Sequence, residues 1–258
     1  MKRKISIVFT LLALMCTPAG ADETVTFKSL SNNTDGASLT LTGHLTKPKG
    51  EGPFPAVVLL HGCSGLNRFY HVWAERHAIW GYVTLRVDSF GPRGATSCWD
   101  FDDRLDLLKK RVKDAYAAKS FLSGFPFVNR NRIGVMGWSQ GGWTVLAALN
   151  AGETEPSPFQ AAVAFYPLCA EPLTTLNAPL LILTGERDDW CPARLCSSKM
   201  PVEKTAHEII LKIYPGAYHC FDWEGVDLEF VGHRLLYHPS ASVDAQVRVK
   251  EFLAKHLQ

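Results

Sequence analysis

Ser139 sits in Ile133-Gly134-Val135-Met136-Gly137-Trp138-Ser139-Gln140-Gly141-Gly142-Trp143, an apolar run, then Gly-x-Ser-x-Gly, then a helix-forming stretch. A serine hydroxyl is a poor nucleophile until a base takes its proton and the chain presents it in a cleft. A sharp strand-to-helix turn does the presenting, and side chains two positions either side of the serine would collide with the crossing strand and helix. The chemistry implied is acyl transfer to serine. Three fixed residues in five also fit an ordinary Gly/Ser loop, so the flanks matter. Residues 132–136 read as a short buried strand, and 143–150 as a helix stopping at Asn150-Ala151-Gly152, which is the context the motif needs.

Such a serine needs a base, an acid behind the base and donors for an oxyanion. After the apolar run 208–214 comes Pro215-Gly216-Ala217-Tyr218-His219-Cys220-Phe221-Asp222, which makes His219 the candidate base among nine histidines. His71, His77, His207, His233, His238 and His256 fall in helices or peripheral segments and read as solvated or structural. After the run 180–184 comes Gly185-Glu186-Arg187-Asp188-Asp189-Trp190-Cys191-Pro192, where either Asp188 or Asp189 could orient the histidine. After the run 55–60 comes His61-Gly62-Cys63-Ser64-Gly65. Its Cys63 N–H, with the N–H of Gln140 beside the nucleophile, would form an oxyanion hole, and His61 would order the turn. The order serine, aspartate, histidine is that of α/β-hydrolases.

The elements that must position these groups alternate along the chain. Strands are expected at 24–30, 39–46, 55–60, 82–87, 132–136, 161–166, 180–184 and 208–214. Helices are expected at 69–80, 100–122 and 143–150, with a last one from about Ser242. The 39–46 segment alternates as a half-exposed antiparallel strand does, whereas 55–60 is continuously aliphatic, as a strand buried on both faces is. The expectation is an α/β fold, with a mostly parallel sheet covered by helices on both faces and the ligand at the carboxyl ends of the strands. Residues 152–158 read as a loop within one domain spanning 22–258.

Residues 1–21 read as a cleaved export signal: basic Lys2-Arg3-Lys4, an apolar stretch from Ile5 to Met15 too short to span a bilayer, and Ala19-Gly20-Ala21 before the cut. Bulky Met15 before Cys16 argues against a lipoprotein signal, and a bacterial periplasmic or secreted location follows. The formal net charge is +2, and the leader holds three basic and no acidic residues, so the chain from Asp22 on carries −1. With no basic stripe, nucleic acid and anionic membranes are poor partners. Six cysteines remain after Cys16 leaves with the leader. An even number in an exported protein suggests disulfides, and the spacings match no zinc site. Cys63–Cys98 is favoured because both lie on loops after neighbouring strands. Cys169–Cys196 and Cys191–Cys220 are the other expected pairs, the last stapling the acid loop to the base loop. No metal or cofactor is expected.

The chain resembles the dienelactone hydrolase family of α/β-hydrolases from about Pro55 to the C-terminus. The resemblance rests on the 61–65, 139 and 185–192 motifs, on Val87-Asp88-Ser89-Phe90-Gly91-Pro92-Arg93-Gly94, and on Tyr214 to Asp222. In that family the acid is the aspartate three residues after the glycine, which implies Asp188 rather than Asp189. The name-giving enzymes carry a cysteine nucleophile where this chain has Ser139, so their substrate is not implied. Cys220 stands where many relatives have glycine, and export departs from the cytosolic members. The expected activity is hydrolysis of a small-molecule ester, lactone or thioester through Ser139, His219 and Asp188. Trp138, Trp190 and Phe221, with Trp223, would line or flank the cleft. A binding protein that has lost catalysis, or a peptidase or acyltransferase with the same triad, are the alternatives.

Overall fold

The computed structural model describes residues 22–32, 38–150, 157–173, 176–201 and 206–258. The leader and most of the 152–158 loop lie outside the described residues. Eight strands form one sheet: β1 (Asp22–Asn32), β2 (Ser38–Thr46), β3 (Phe54–Leu60), β4 (Val83–Asp88), β5 (Val128–Trp138), β6 (Ala162–Phe165), β7 (Leu180–Gly185) and β8 (Ile209–Tyr214). Their order across the sheet is β1-β2-β4-β3-β5-β6-β7-β8. β2 runs antiparallel to both its neighbours, and every pair from β4 to β8 is parallel. This is the mostly parallel α/β architecture that the strand runs imply.

The strand period of two divides β3 between two cores. Val58 and Leu60 pack with α2 (Arg104–Ser123) and α3 (Gln140–Asn150), while Val57 and Leu59 pack with α1 (Arg68–Ile79) and α5 (Pro239–Leu257). Residues 56–60 are buried without interruption, as a central parallel strand must be.

Helix α2 begins four residues later than its apolar spacing suggests. Ser97 and Asp100 close a capping box on a short 3-10 turn, Cys98–Asp100. Phe101 is then extended, and Asp103 caps α2 by accepting from the Leu105 and Asp106 amides. Local carboxylate and hydroxyl caps therefore override the hydrophobic period. Three further elements have no counterpart among the expected ones: α4 (Ala193–Lys199) and the hairpin of β9 (Asp227–Phe230) and β10 (His233–Leu236). The hairpin turns on Val231 and Gly232, both at positive φ. A β-branched residue there gives none of the usual turn signal.

Two disulfides join Cys63 to Cys98 and Cys169 to Cys196, with Cα atoms 4.7 and 5.0 Å apart. Cys191 and Cys220, expected as a third pair, are separate buried thiols. Burial raises both thiols above their ordinary range, with Asp188 adding to it at Cys191 and Asp222, then Asp188, at Cys220. Among the described residues no helix is long and apolar enough to cross a membrane.

Candidate active site

β5 carries the chain into the middle of the sheet and stops at Trp138. Ser139 follows with φ +54, a conformation costly for a residue with a side chain. Its amide donates to Phe165 O at 2.9 Å and its carbonyl accepts from the Trp143 amide at 2.9 Å, so both ends of the turn are held. The flanking glycines are required. A Cβ on Gly137 would lie 2.3 Å from Gly141 O, and one on Gly141 would lie 2.2 Å from Leu60 O.

Asp188 and His219 arrive from the carboxyl ends of β7 and β8. His219 Nδ1 is 2.7 Å from Asp188 Oδ2, and His219 Nε2 is 3.0 Å from Ser139 Oγ. An ionised carboxylate can only accept, so Nδ1 carries the proton toward Asp188 and the Nε2 lone pair faces the serine hydroxyl. Asp188 Oδ1 accepts from the Trp190 and Cys191 amides at 3.0 and 2.8 Å. Asp189 points elsewhere, to His233 at 3.2 Å. Of the two adjacent carboxylates, Asp188 is therefore the one behind His219. Asp188 and His219 are almost wholly buried, and the His219 ring lies between Tyr166 and Trp190, with centroids 4.5 and 5.4 Å away.

The 61–65 turn presses against Ser139. A Cβ on Gly62 would stand 3.3 Å from Trp138 O and 3.5 Å from Ser139 Cβ. The Gly62 amide donates to the Tyr70 hydroxyl at 2.7 Å, and Cys63 O accepts from the Cys98 amide at 2.9 Å beside the disulfide. Gln140 opens α3, so its N–H has no carbonyl one turn earlier to reach. His61 is a prop rather than a base. Burial, aided by Arg111, keeps its ring neutral, and its ring nitrogens are engaged by Gly62 O at 2.8 Å and the Ser89 amide at 3.3 Å. Arg111, buried under the turn, donates to His61 O at 2.6 Å. Burial lowers this guanidinium to about 10, so it stays charged at neutral pH.

The dienelactone hydrolase family profile matches residues 41–257. The chain belongs to that family. A protein of Bradyrhizobium named as a 2-oxo-3-(5-oxofuran-2-ylidene)propanoate lactonase is 26% identical over 222 residues, covering 78% of this chain and 86% of that protein. A protein of Synechocystis named as a carboxymethylenebutenolidase is 24% identical over 255 residues, covering 91% of this chain and all of that protein. The crystal structure of a dienelactone hydrolase from Anabaena variabilis superposes with a TM-score of 0.66 at 20% identity, covering 93% of this chain and all of that one. The fold of this dienelactone hydrolase family member is thus the α/β-hydrolase fold.

The cleft above Ser139 holds about 180 Å³. Trp138, Trp190 and Trp223 line it, as their positions beside the motifs suggest. Phe221 does not. Cys220 takes φ +59, the left-handed region that favours glycine, and the turn sends Phe221 into the core against Phe165, Tyr166 and Tyr214. Six cleft residues have no sequence signal tied to the triad: Tyr70 and Tyr166; Ser97 and Trp99, at the 3-10 turn held by the Cys63–Cys98 disulfide; and Phe230 and Leu235, on the unexpected hairpin.

Asp222 is the most consequential residue that motif reading leaves without a role. It is buried, and its two oxygens accept separately from Trp138 Nε1 at 3.0 Å and the Tyr166 hydroxyl at 2.8 Å. Burial pushes its carboxyl up to about 6 against the pull of these donors. One carboxylate thus ties the residue before Ser139 to the ring packed on His219.

Proposed function

We propose that this chain is an exported serine hydrolase that cleaves a carboxylic ester, lactone or thioester through an acyl-enzyme on Ser139. It is a hydrolase of ester bonds, as the lactonase and carboxymethylenebutenolidase it resembles are named to be. The observation that carries the finer reading is the unbroken line from Asp188 Oδ2 through the His219 ring to Ser139 Oγ, at 2.7 and 3.0 Å. His219 takes the hydroxyl proton as Ser139 Oγ attacks the carbonyl carbon. Asp188 holds the ring in the right tautomer and stabilises the imidazolium that forms. The Cys63 and Gln140 amides receive the oxyanion. His219 then gives its proton to the leaving oxygen or sulfur, and water attacks the acyl-serine by the same route in reverse, releasing the acid.

The serine is what sets this chain apart from the family's cysteine members. A serine cannot ionise by itself near neutral pH, so it depends on His219 at each step. Export is supported by the composition of residues 1–21 and by two disulfides, which persist in oxidising compartments. A fluorophosphonate is expected to label Ser139, and Ser139→Ala to lower p-nitrophenyl ester hydrolysis by at least about 10⁴-fold. A variant that keeps its activity would sink the reading.

A further inference from the structure

We infer that the cleft selects an uncharged aromatic ester and turns away substrates that carry a carboxylate beside the scissile bond. This deepens the serine hydrolase reading above and rests on it.

The first argument is shape. Trp190 lies near-parallel to Trp99 (centroids 6.1 Å apart, 28° between planes) and to Phe230 (5.8 Å, 27°). These rings wall the mouth of a cleft whose depth holds Trp138 and the catalytic serine. Trp99 and Phe230 are each more than two-fifths exposed, so part of each ring is within reach of a ligand. A cavity of 180 Å³ takes about one substituted aromatic ring, since an apolar cavity of roughly 150 Å³ holds benzene. A lining this rich in aromatic rings favours an aromatic guest by offset or edge-on contact. Ser64 and Ser97 add neutral hydroxyls to the lining, which suits an ether, phenol or ester oxygen.

The second argument is charge. Among the described residues no lysine or arginine lines the cleft. Arg104 lies on the Trp99 ring at 3.9 Å but outside the cleft lining, Arg111 bonds His61 O beneath the turn, and Arg187 reaches the Tyr218 hydroxyl. The titratable lining groups other than His219 are Tyr70, Tyr166 and Cys220, all raised by burial and therefore neutral. The charges just behind the wall are the carboxylates of Asp188 and Asp222. A substrate carboxylate in the cleft would lose its water, meet no cation among the lining residues and face negative charge, which is costly in an apolar site. The two relatives described above are named for lactones or butenolides that bear a carboxylic group, so this chain would differ from them in substrate charge.

The test compares matched esters at pH 7.5: p-nitrophenyl benzoate against p-nitrophenyl 4-carboxybenzoate, and phenyl acetate against 4-acetoxybenzoate. The carboxylated member of each pair is expected to show a kcat/KM about 100-fold lower, and a penalty under tenfold in both pairs overturns the inference. Trp99 is exposed on a surface turn, so its replacement does not threaten the fold. Trp99→Arg is expected to raise kcat/KM for 4-carboxybenzoate relative to benzoate at least tenfold. Trp99→Ala is expected to lower the benzoate-to-acetate ratio of kcat/KM by about tenfold, and ratios unmoved in both variants also count against it. Fluorophosphonate labelling separates the two levels. Labelled Ser139 with no charge discrimination overturns this inference alone, whereas no adduct at Ser139 and no turnover of any ester overturns the hydrolase mechanism itself.

Discussion

Replacing Asp222 by asparagine should remove the pH dependence that this buried carboxyl imposes on stability. The group stands at about 6 in the fold against an ordinary 3.8. A difference of about two units corresponds to roughly 3 kcal/mol between the two protonation states. Because the folded value is raised, the contribution to stability is fully present below pH 3.8 and is lost as pH rises toward 6. Between pH 4 and pH 8 the wild-type protein should therefore lose about 2.5 kcal/mol relative to Asp222→Asn, nearly all of it below pH 6.5. Asparagine offers one acceptor where two donors, Trp138 Nε1 and the Tyr166 hydroxyl, now point at two oxygens. That mismatch adds a penalty of about 1–3 kcal/mol to the variant that does not change with pH. Urea unfolding of both proteins at intervals from pH 4 to 8 isolates the pH-dependent part as the change in their difference. A flat difference refutes the reasoning. A wild-type advantage that grows with pH would mean that the donors outweigh burial and hold the carboxylate ionised.

Two further outcomes are expected. Asp188→Asn should leave the fold intact, since the amide oxygen can still accept from the Trp190 and Cys191 amides, yet cut kcat by about 10⁴-fold by presenting His219 with an N–H donor and selecting the wrong tautomer; steady-state kinetics showing a loss under tenfold would refute the role. Cys63→Ala with Cys98→Ala opens a crosslink spanning 35 residues, which should cost up to about 4 kcal/mol in urea unfolding, and a loss under 1 kcal/mol would show that the hydrogen bond from the Cys98 amide to Cys63 O holds the turn alone.

The parallel sheet was readable because its strands are long aliphatic runs with no helical spacing, and residues 55–60 and 180–184 look the same to water on both faces. The site groups were readable because each follows such a run by a few residues, where a parallel sheet opens. What the sequence hid depends on contacts between distant segments. Asp222 looks like a loop carboxylate, and only the approach of Trp138 and Tyr166, 84 and 56 residues away, makes it a buried tie. Val231 conceals its turn because a β-branched residue is a poor guest at φ +52. Its hairpin is held instead by strand pairing and by the parallel bridge of Leu235 to His219. Phe221 was misplaced because a left-handed residue before it reverses which side a side chain faces. Cys191 and Cys220 stay separate thiols, because an even number of cysteines carries no information about which side chains meet.

In the mechanism proposed above, a serine nucleophile makes the placement of its base unusually demanding. A thiolate can hold its charge before substrate arrives, but Ser139 reacts only while Nε2 is within hydrogen-bond reach of its hydroxyl. The fold meets this from several directions. Ser139 is fixed by the Phe165 carbonyl and by α3, and His219 by Asp188 and by the rings of Tyr166 and Trp190. Tyr166 itself sits at φ +35, a strained position that turns its ring onto His219 while its hydroxyl reaches Asp222. Asp222 then reaches back to Trp138, the neighbour of the nucleophile. Base and nucleophile are therefore joined through a second, buried path besides the direct 3.0 Å contact. Relaxing that path should increase the freedom of the His219 ring without changing its chemistry, so damage to Asp222 belongs in kcat rather than in substrate binding.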